Sequence, residues 1–405
     1  MKLKMRWKIA FVAVCLVGCE KFIPEGPEDD EILDGPIAGL TDEQNRQFLL
    51  GDIAFNDEIF STDMGLGPYF VATSCGTCHP GDGKGHPFTT LTRFGQSDTT
   101  GNTFLDRGGP QLQNRAIPGH TPERIPPGAT FSKFTPPAVT GLGFLEALTD
   151  EQILSNADPE DNDGDGISGR PNYIEAPDFF TPLWYHQPRN GKFIGRFGKK
   201  ASVVNVLQQT VGAYREDIGI TSDFSLSEPA VYDKPNETAD HVADPEVSAA
   251  TIKNVVFYLR TLKAPGQREP GNPDVIRGKQ LFEEISCAKC HIPKWTTPVS
   301  DIPVLSEKDF YPYTDLLLHD MGPGLNDGYT EGTALPEEWR TPPLWGLGLS
   351  KDSQGGKYFL LHDGRARSID EAILLHGGEA ARSQQQFLEL TGEEKDHLIR
   401  FLESL

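Results

Sequence analysis

No apolar run in this chain is long enough to cross a bilayer. The stretch from Ile9 to Gly18 stops well short of the roughly 20 residues that span a hydrocarbon core. Basic residues are also in short supply: 37 Lys and Arg stand against 59 Asp and Glu, a formal net charge of −22. So acidic a surface repels nucleic acid and anionic lipid headgroups, which excludes both as partners. Cysteine is scarce as well. Of 6 in 405 residues, Cys15 and Cys19 lie near the start and the other four form two C-x-x-C pairs, leaving no thiols for a disulfide framework. Alternating strand and helix patterns are missing around both pairs, which argues against a thioredoxin-like dithiol.

What the chain does have is Ser74-Cys75-Gly76-Thr77-Cys78-His79 and its echo Ser286-Cys287-Ala288-Lys289-Cys290-His291. Two thiols three residues apart, followed at once by an imidazole, form the attachment pattern of c-type haem: the thiols join the vinyl groups and the histidine ligates iron. Composition alone would supply such a pentapeptide about 0.002 times per chain. Two copies imply two covalent haem c groups. A four-cysteine zinc site is the competing use of the pairs, but it leaves both histidines without a role. Beyond the first nineteen residues the methionines are Met64 and Met321, so His/Met ligation has few donors.

Residues 1–19 read as a lipoprotein signal peptide. Lys2, Lys4, Arg6 and Lys8 precede the apolar run, and Leu16-Val17-Gly18-Cys19 resembles a bacterial lipoprotein cleavage box in which Cys19 carries the lipid. The expected location is the bacterial cell envelope, facing the periplasm, with membrane contact through the anchor alone. Residues 20–40, rich in Pro, Gly and acids, form a tether. A chain of this length exceeds one ordinary core, so two domains are expected, 41–268 and 269–405. Pro and Gly between Lys263 and Pro273 mark the linker.

The halves carry a weak internal repeat. Thr135-Pro136-Pro137, Gly141-Leu142-Gly143 and Asp150-Glu151-Gln152-Ile153-Leu154 are echoed by Thr341-Pro342-Pro343, Gly346-Leu347-Gly348 and Asp370-Glu371-Ala372-Ile373-Leu374. Amphipathic helices close both halves, near Val255–Leu262 and Leu398–Leu405, the second with a capping-box start at Thr391 and Glu394. The predicted fold is mainly α: two tandem cytochrome c-like haem domains, with a loop-rich insertion in the first at about 158–241. Within it, Asp161, Asp163 and Asp165 alternate before Gly166 as in a calcium loop, although Asn172 takes the place of the usual last-position glutamate. Ala201 to Asp217 has helical periodicity and is expected to pack rather than react.

Leu361-His362-Asp363-Gly364-Arg365, read with both haem motifs, resembles bacterial di-haem cytochrome c peroxidases and their relative MauG. The closer resemblance is to the di-haem oxidoreductase family described as peroxidases or thiol oxidoreductases. It is carried by Gly195–Ala201, Tyr313–Gly322, Glu338–Gly346 and His362–Gly378. His319-Asp320-Met321-Gly322 corresponds to a segment that is usually structural in the peroxidases.

That resemblance implies the roles. The second haem is attached at Cys287 and Cys290 and ligated by His291, with His376 at the position of the distal ligand, which gives a closed, low-potential relay. The first is attached at Cys75 and Cys78 and ligated by His79. Ser155 and Asn156 stand where its distal ligand would be, so that iron is open unless His86 or His120 caps it. Glu151, then Glu146, matches the glutamate that shuttles a proton during peroxide cleavage. Trp295 and Trp345 are candidates for shortening the path between haems. The implied activity is peroxidase: a small electron-donor protein reduces the second haem, and hydrogen peroxide or another small oxidant is reduced at the first. A non-catalytic electron carrier and a MauG-like oxidase of a partner protein are the alternatives.

Overall fold

The computed structural model describes residues 32–405 except 235, 236 and 238. The signal peptide, Cys19 and most of the tether lie outside the described residues. Among those described, no helix is long and apolar enough to cross a membrane.

Helices dominate: α1 Asp42–Asp52, α2 Cys75–Cys78, α3 Leu142–Ala147, α4 Asp150–Leu154, α5 Val206–Gly212, α6 Ala249–Thr261, α7 Pro273–Glu284, α8 Ser350–Ser353, α9 Ile369–Leu374, α10 Ala381–Glu389 and α11 Gly392–Ser404. Sheet is confined to two-stranded antiparallel ladders. β1 (Tyr69–Phe70) pairs with β3 (Arg115–Ala116), and β2 (Leu91–Phe94) pairs with β4 (Phe131–Phe134). Further along, β5 (Tyr173–Ile174) pairs with β6 (Phe193–Ile194), β7 (Trp295–Thr296) with β8 (Asp309–Phe310), and β9 (Leu318–Asp320) with β10 (Glu338–Arg340). The fold is mainly α, with the ladders pinning long loops.

The helix starts follow from capping chemistry. Thr41 opens α1 and Thr391 opens α11, each through a capping box, with Gln44 and Glu394 reaching back to the cap. Ser248 caps α6. α1 then loosens into a π-turn at Ile53–Asp57 that buries Phe55.

Two helix crossings repeat each other residue for residue. α1 meets α6 at Gly51, where a β-carbon would run into the Asn254 carbonyl and the Tyr258 side chain. α7 meets α11 at Gly278, which is blocked in the same way by the His397 carbonyl and Phe401. Aromatic rings seal both crossings: Phe55 on Tyr258 at 5.6 Å and Phe282 on Phe401 at 5.4 Å. The Gly-Leu-Gly echoes belong to the same repeat. Gly143 lies against the Arg260 carbonyl of α6 and Gly348 against the Glu403 carbonyl of α11, two residues beyond the sealing aromatic in each case.

There are two large cores. One gathers Phe48, Phe144, Leu145, Val255 and Leu259, and also takes Trp295, Phe310, Leu317 and Trp345 from beyond the linker. The other holds Val275, Phe282, Tyr313, Leu398, Phe401 and Leu402. Below α4, Arg196 and Asp150 form an ion pair at 2.5 Å with both side chains fully buried.

Gly278→Ala should therefore lower stability by about 2 kcal/mol through overpacking, although alanine is the better helix former. Gly392→Ala, where nothing lies within 4 Å of the new carbon, should cost nothing. Denaturant midpoints of the two variants compare them directly.

Candidate functional site

A cavity of about 540 Å³ takes its walls from both cores and is lined by Cys75, Cys78 and His79, by Cys287, Cys290 and His291, and by His376. The local folding explains how the first motif presents itself. Ser74 caps α2, accepting from the Thr77 amide at 3.2 Å, so Cys75 and Cys78 stand one turn apart with His79 at the helix end. In the second motif a 3-10 turn, Cys287–Lys289, does the same work. Phe55 flanks His79 at 5.9 Å and Phe282 flanks His291 at 6.3 Å, a further equivalence between the halves.

All three motif-related histidines are held alike. His79 Nδ1 bonds the Pro137 carbonyl at 2.8 Å, His291 Nδ1 the Tyr313 carbonyl at 2.9 Å, and His376 Nδ1 the Ala372 carbonyl at 2.7 Å. A carbonyl only accepts, so Nδ1 carries the proton and Nε2 keeps a bare lone pair. Burial pulls the imidazolium pKa of His79 and His291 down to about 4 and lowers that of His376. Neutral imidazole is the form that ligates iron. The charge of His376 also depresses His291, as expected of rings sharing one space.

The thiols are free, and burial pushes Cys75, Cys78 and Cys287 up to about 12. The zinc alternative fails on geometry. Among the described residues, the groups of three or more His, Cys, Asp or Glu able to hold one ion are all-carboxylate. Two thiol pairs, each beside an imidazole with a bare Nε2 in a largely apolar cavity, are the donor set haem requires.

The wall that sequence periodicity did not reveal comes from the insertion. α5 runs into a π-turn, Ala213–Ile218, that brings Tyr214, Glu216 and Asp217 to the cavity. The stretch expected merely to pack therefore carries polar groups inward; its one-residue slip of helical register is invisible to a 3.6-residue pattern. Asp217 accepts from Gln111 Nε2 at 2.5 Å, and burial raises it to about 7 against that bond. Its charge is felt at both Cys75 and Cys78. Glu216 pairs with Arg93 at 2.5 Å, and Arg93 also reaches Glu331 at 3.0 Å. Tyr214 is 1% exposed, and its hydroxyl has no hydrogen-bond partner.

Beside the second motif, His319 sits between Asp315 at 2.8 Å and Glu379 at 2.6 Å, with Cys290 Sγ at 3.7 Å. Burial opposes its charge, but the carboxylates outweigh it and hold the imidazolium well above its usual range. His362 also lines the cavity, stacked on Trp339 at 3.6 Å with Nε2 toward Asp327 at 3.5 Å.

Several expected site residues lie elsewhere. Neither Glu151 nor Glu146 lines the cavity. Arg196 draws Asp150 inward and leaves Glu151 exposed on α4, while Glu146 is taken up by Arg260 and the Val206 amide. His86 and His120 are likewise outside: His86 accepts from the Phe88 amide, stacks on the Phe88 ring and meets Phe359 edge-on, and His120 is exposed beside Tyr69. Trp345 lines the cavity; Trp295 does not, its indole donating to the Thr314 carbonyl at 2.8 Å. In the acidic loop, Asp161 and Asp163 converge with Asp158, whereas Asp165 turns away to pair with Lys289.

A family model described as "Di-haem oxidoreductase, putative peroxidase" matches residues 132–405, a span holding the second motif and starting after the first. No curated protein matches the chain. Among solved structures the chain is similar to one titled "Kuenenia stuttgartiensis Hydrazine Synthase Pressurized with 20 bar Xenon", at 15% identity and a TM-score of 0.40 over 100% of both chains. A likeness that low carries no argument.

Because Glu146 holds two segments together and Glu151 holds none, Glu146→Gln should cost roughly 1–3 kcal/mol, whereas Glu151→Gln should stay within about 0.5 kcal/mol of the parent. Thermal denaturation of both variants reads the difference.

Proposed function

We propose that this chain, which belongs to the di-haem oxidoreductase, putative peroxidase family, reduces hydrogen peroxide at one haem with electrons relayed from the other. Cys75 and Cys78 would attach the first haem and His79 would ligate it. Cys287 and Cys290 would attach the second, held between His291 and His376. The duplicated glycine crossings support two cytochrome c-like modules in tandem. Cys19 would tether the protein by lipid to the bacterial cell envelope, facing the periplasm, where a small electron-donor protein reaches it.

The observation that carries this reading is the difference between the two walls. His376 faces the second motif with a bare Nε2. Among the described residues lining the cavity the first has no such partner: His319 is locked between carboxylates and His362 is stacked on Trp339 with Nε2 toward Asp327. Its surroundings are instead Arg93, Gln111, Glu216 and Asp217, groups that handle protons rather than cap iron.

Bound there, haem supplies the electron transfer. The chain supplies the protons, two for each peroxide reduced to two waters. Asp217, held by Gln111 at one oxygen, has a pKa near the working pH and can take a proton from one peroxide oxygen and return it to the other. Arg93 holds Glu216 in place while Glu331 anchors the guanidinium from its other side. Phe197, Leu145 and Leu259 form apolar stretches of wall.

Asp217 must be ionised to accept the first proton, so turnover should rise as pH climbs through about 7 and level off above. Asp217→Asn should remove that limb and lower peroxide turnover by about 10²–10⁴-fold, with haem content unchanged. His376→Ala should convert the second centre from low to high spin in electron paramagnetic resonance. Parent protein with neither high-spin haem nor peroxide turnover would leave an electron carrier in place of an enzyme.

A further inference from the structure

Three cations line the cavity with no carboxylate in ion-pair contact, Lys84, Lys199 and Arg340, although Asp363 and Asp315 act on Lys199 and Arg340 from further off. Other buried cations are all answered. Arg196 has Asp150, Arg93 has Glu216 and Glu331, and the Lys200 ammonium donates to the carbonyls of Leu335, Pro336 and Glu338 at 2.8, 3.1 and 2.9 Å. Among the described residues, the ammonium groups of Lys84 and Lys199 make no hydrogen bond and none of the three cations makes an ion pair. Arg340, 9% exposed, donates Nε to the Gly198 carbonyl at 2.8 Å and Nη1 to the Thr341 carbonyl at 3.1 Å.

Lys84 and Arg340 are both close enough to repel Lys199. Burial lowers Lys84 to about 8, Arg340 to about 10 and Lys199 well below its usual range, and Lys84 and Arg340 both depress Lys199 further. Charges drawn out of water without a counter-charge are unfavourable, and an anion seated among the three would complete the cluster. It stands on the first-motif side: Lys84 lies in the loop just after His79, and the charge of Lys199 lowers His79. The cluster is assembled from three separate segments, that loop, the insertion and the end of β10.

We propose that Lys84, Lys199 and Arg340 bind the propionate carboxylates of the haem attached at Cys75 and Cys78, and that their charge raises the reduction potential of that centre. This rests on the haem reading above. Positive charge beside the group favours its reduced form, and holding one anion from three segments ties the insertion and the second half to the first haem.

The test uses the full-length, haem-loaded protein and the variants Lys199→Met, Lys84→Met and Lys199→Arg. Spectroelectrochemical titration should show the first centre harder to reduce in either methionine variant, by about tenfold in the equilibrium constant, or 59 mV for a one-electron couple. The second centre should be unmoved and Lys199→Arg near the parent. The propionate bending band in the resonance Raman spectrum should shift with the potential. Loaded Lys199→Met and Lys84→Met proteins with parental potential and Raman band overturn the proposal. So does a saturable change in the first-centre spectrum on adding inorganic phosphate to the parent but not to Lys199→Met, which makes the cluster a free-anion site. Protein purified without covalent haem is a different failure, that of the function itself, and shows at once in the absorption spectrum.

Discussion

The arrangement depends on one small interaction made three times: an imidazole Nδ1–H donated to a backbone carbonyl. At His79, His291 and His376 that bond selects the tautomer, aims Nε2 and keeps the ring from rotating. The carbonyls of Pro137 and Tyr313 come from segments distant in the chain, and that of Ala372 from the helix one turn before His376. Burial adds the second requirement by making the charged imidazole unfavourable. Together they hold three bare lone pairs around one cavity.

The helix crossings supply the frame in which those bonds form. Gly51 and Gly278 let helices approach to backbone contact, and Phe55 and Phe282, each four residues further on, lie against the motif histidines. Two equivalent frames nevertheless carry different chemistry. In the second half the space opposite the motif holds His376, at the end of α9. In the first half α4 occupies the corresponding place in the repeat, but its C-terminal end carries Ser155 and no histidine. Two acids of the polar wall there, Glu216 and Asp217, come from the insertion, so part of the divergence between the copies sits in added chain rather than in the shared frame.

Much of this was legible in the sequence, and what was not has definite causes. The thiols and histidines lie within six-residue motifs, and the helix caps at Thr41 and Thr391 depend on neighbours three residues away. Such local signals survive without knowledge of the fold. The proton-handling wall combines Arg93, Gln111, Glu216, Asp217 and Glu331, drawn from segments more than two hundred residues apart, and part of it depends on a π-turn. No window of sequence contains it. Glu151 and Glu146 illustrate the opposite failure. The resemblance to the peroxidases pointed to them, yet Arg196, buried in a segment about fifty residues away, decides which acidic side chain of α4 turns inward, and it chooses Asp150.

Charge distribution then gives the two centres a direction. The chain as a whole is strongly acidic, but Lys84 and Lys199, which line the cavity without an ion pair, stand on the first-motif side, where Glu216 is paired with Arg93 and Asp217 is the remaining carboxylate. Beside the second, one imidazolium on His319 is outnumbered by the carboxylates of Asp315 and Glu379. A negative surrounding disfavours adding an electron and a positive one favours it, and these effects are strongest where water is excluded. On the proposed reading, electrons arriving at the second motif would run downhill to the first, where an ionised Asp217 would take the first proton from peroxide.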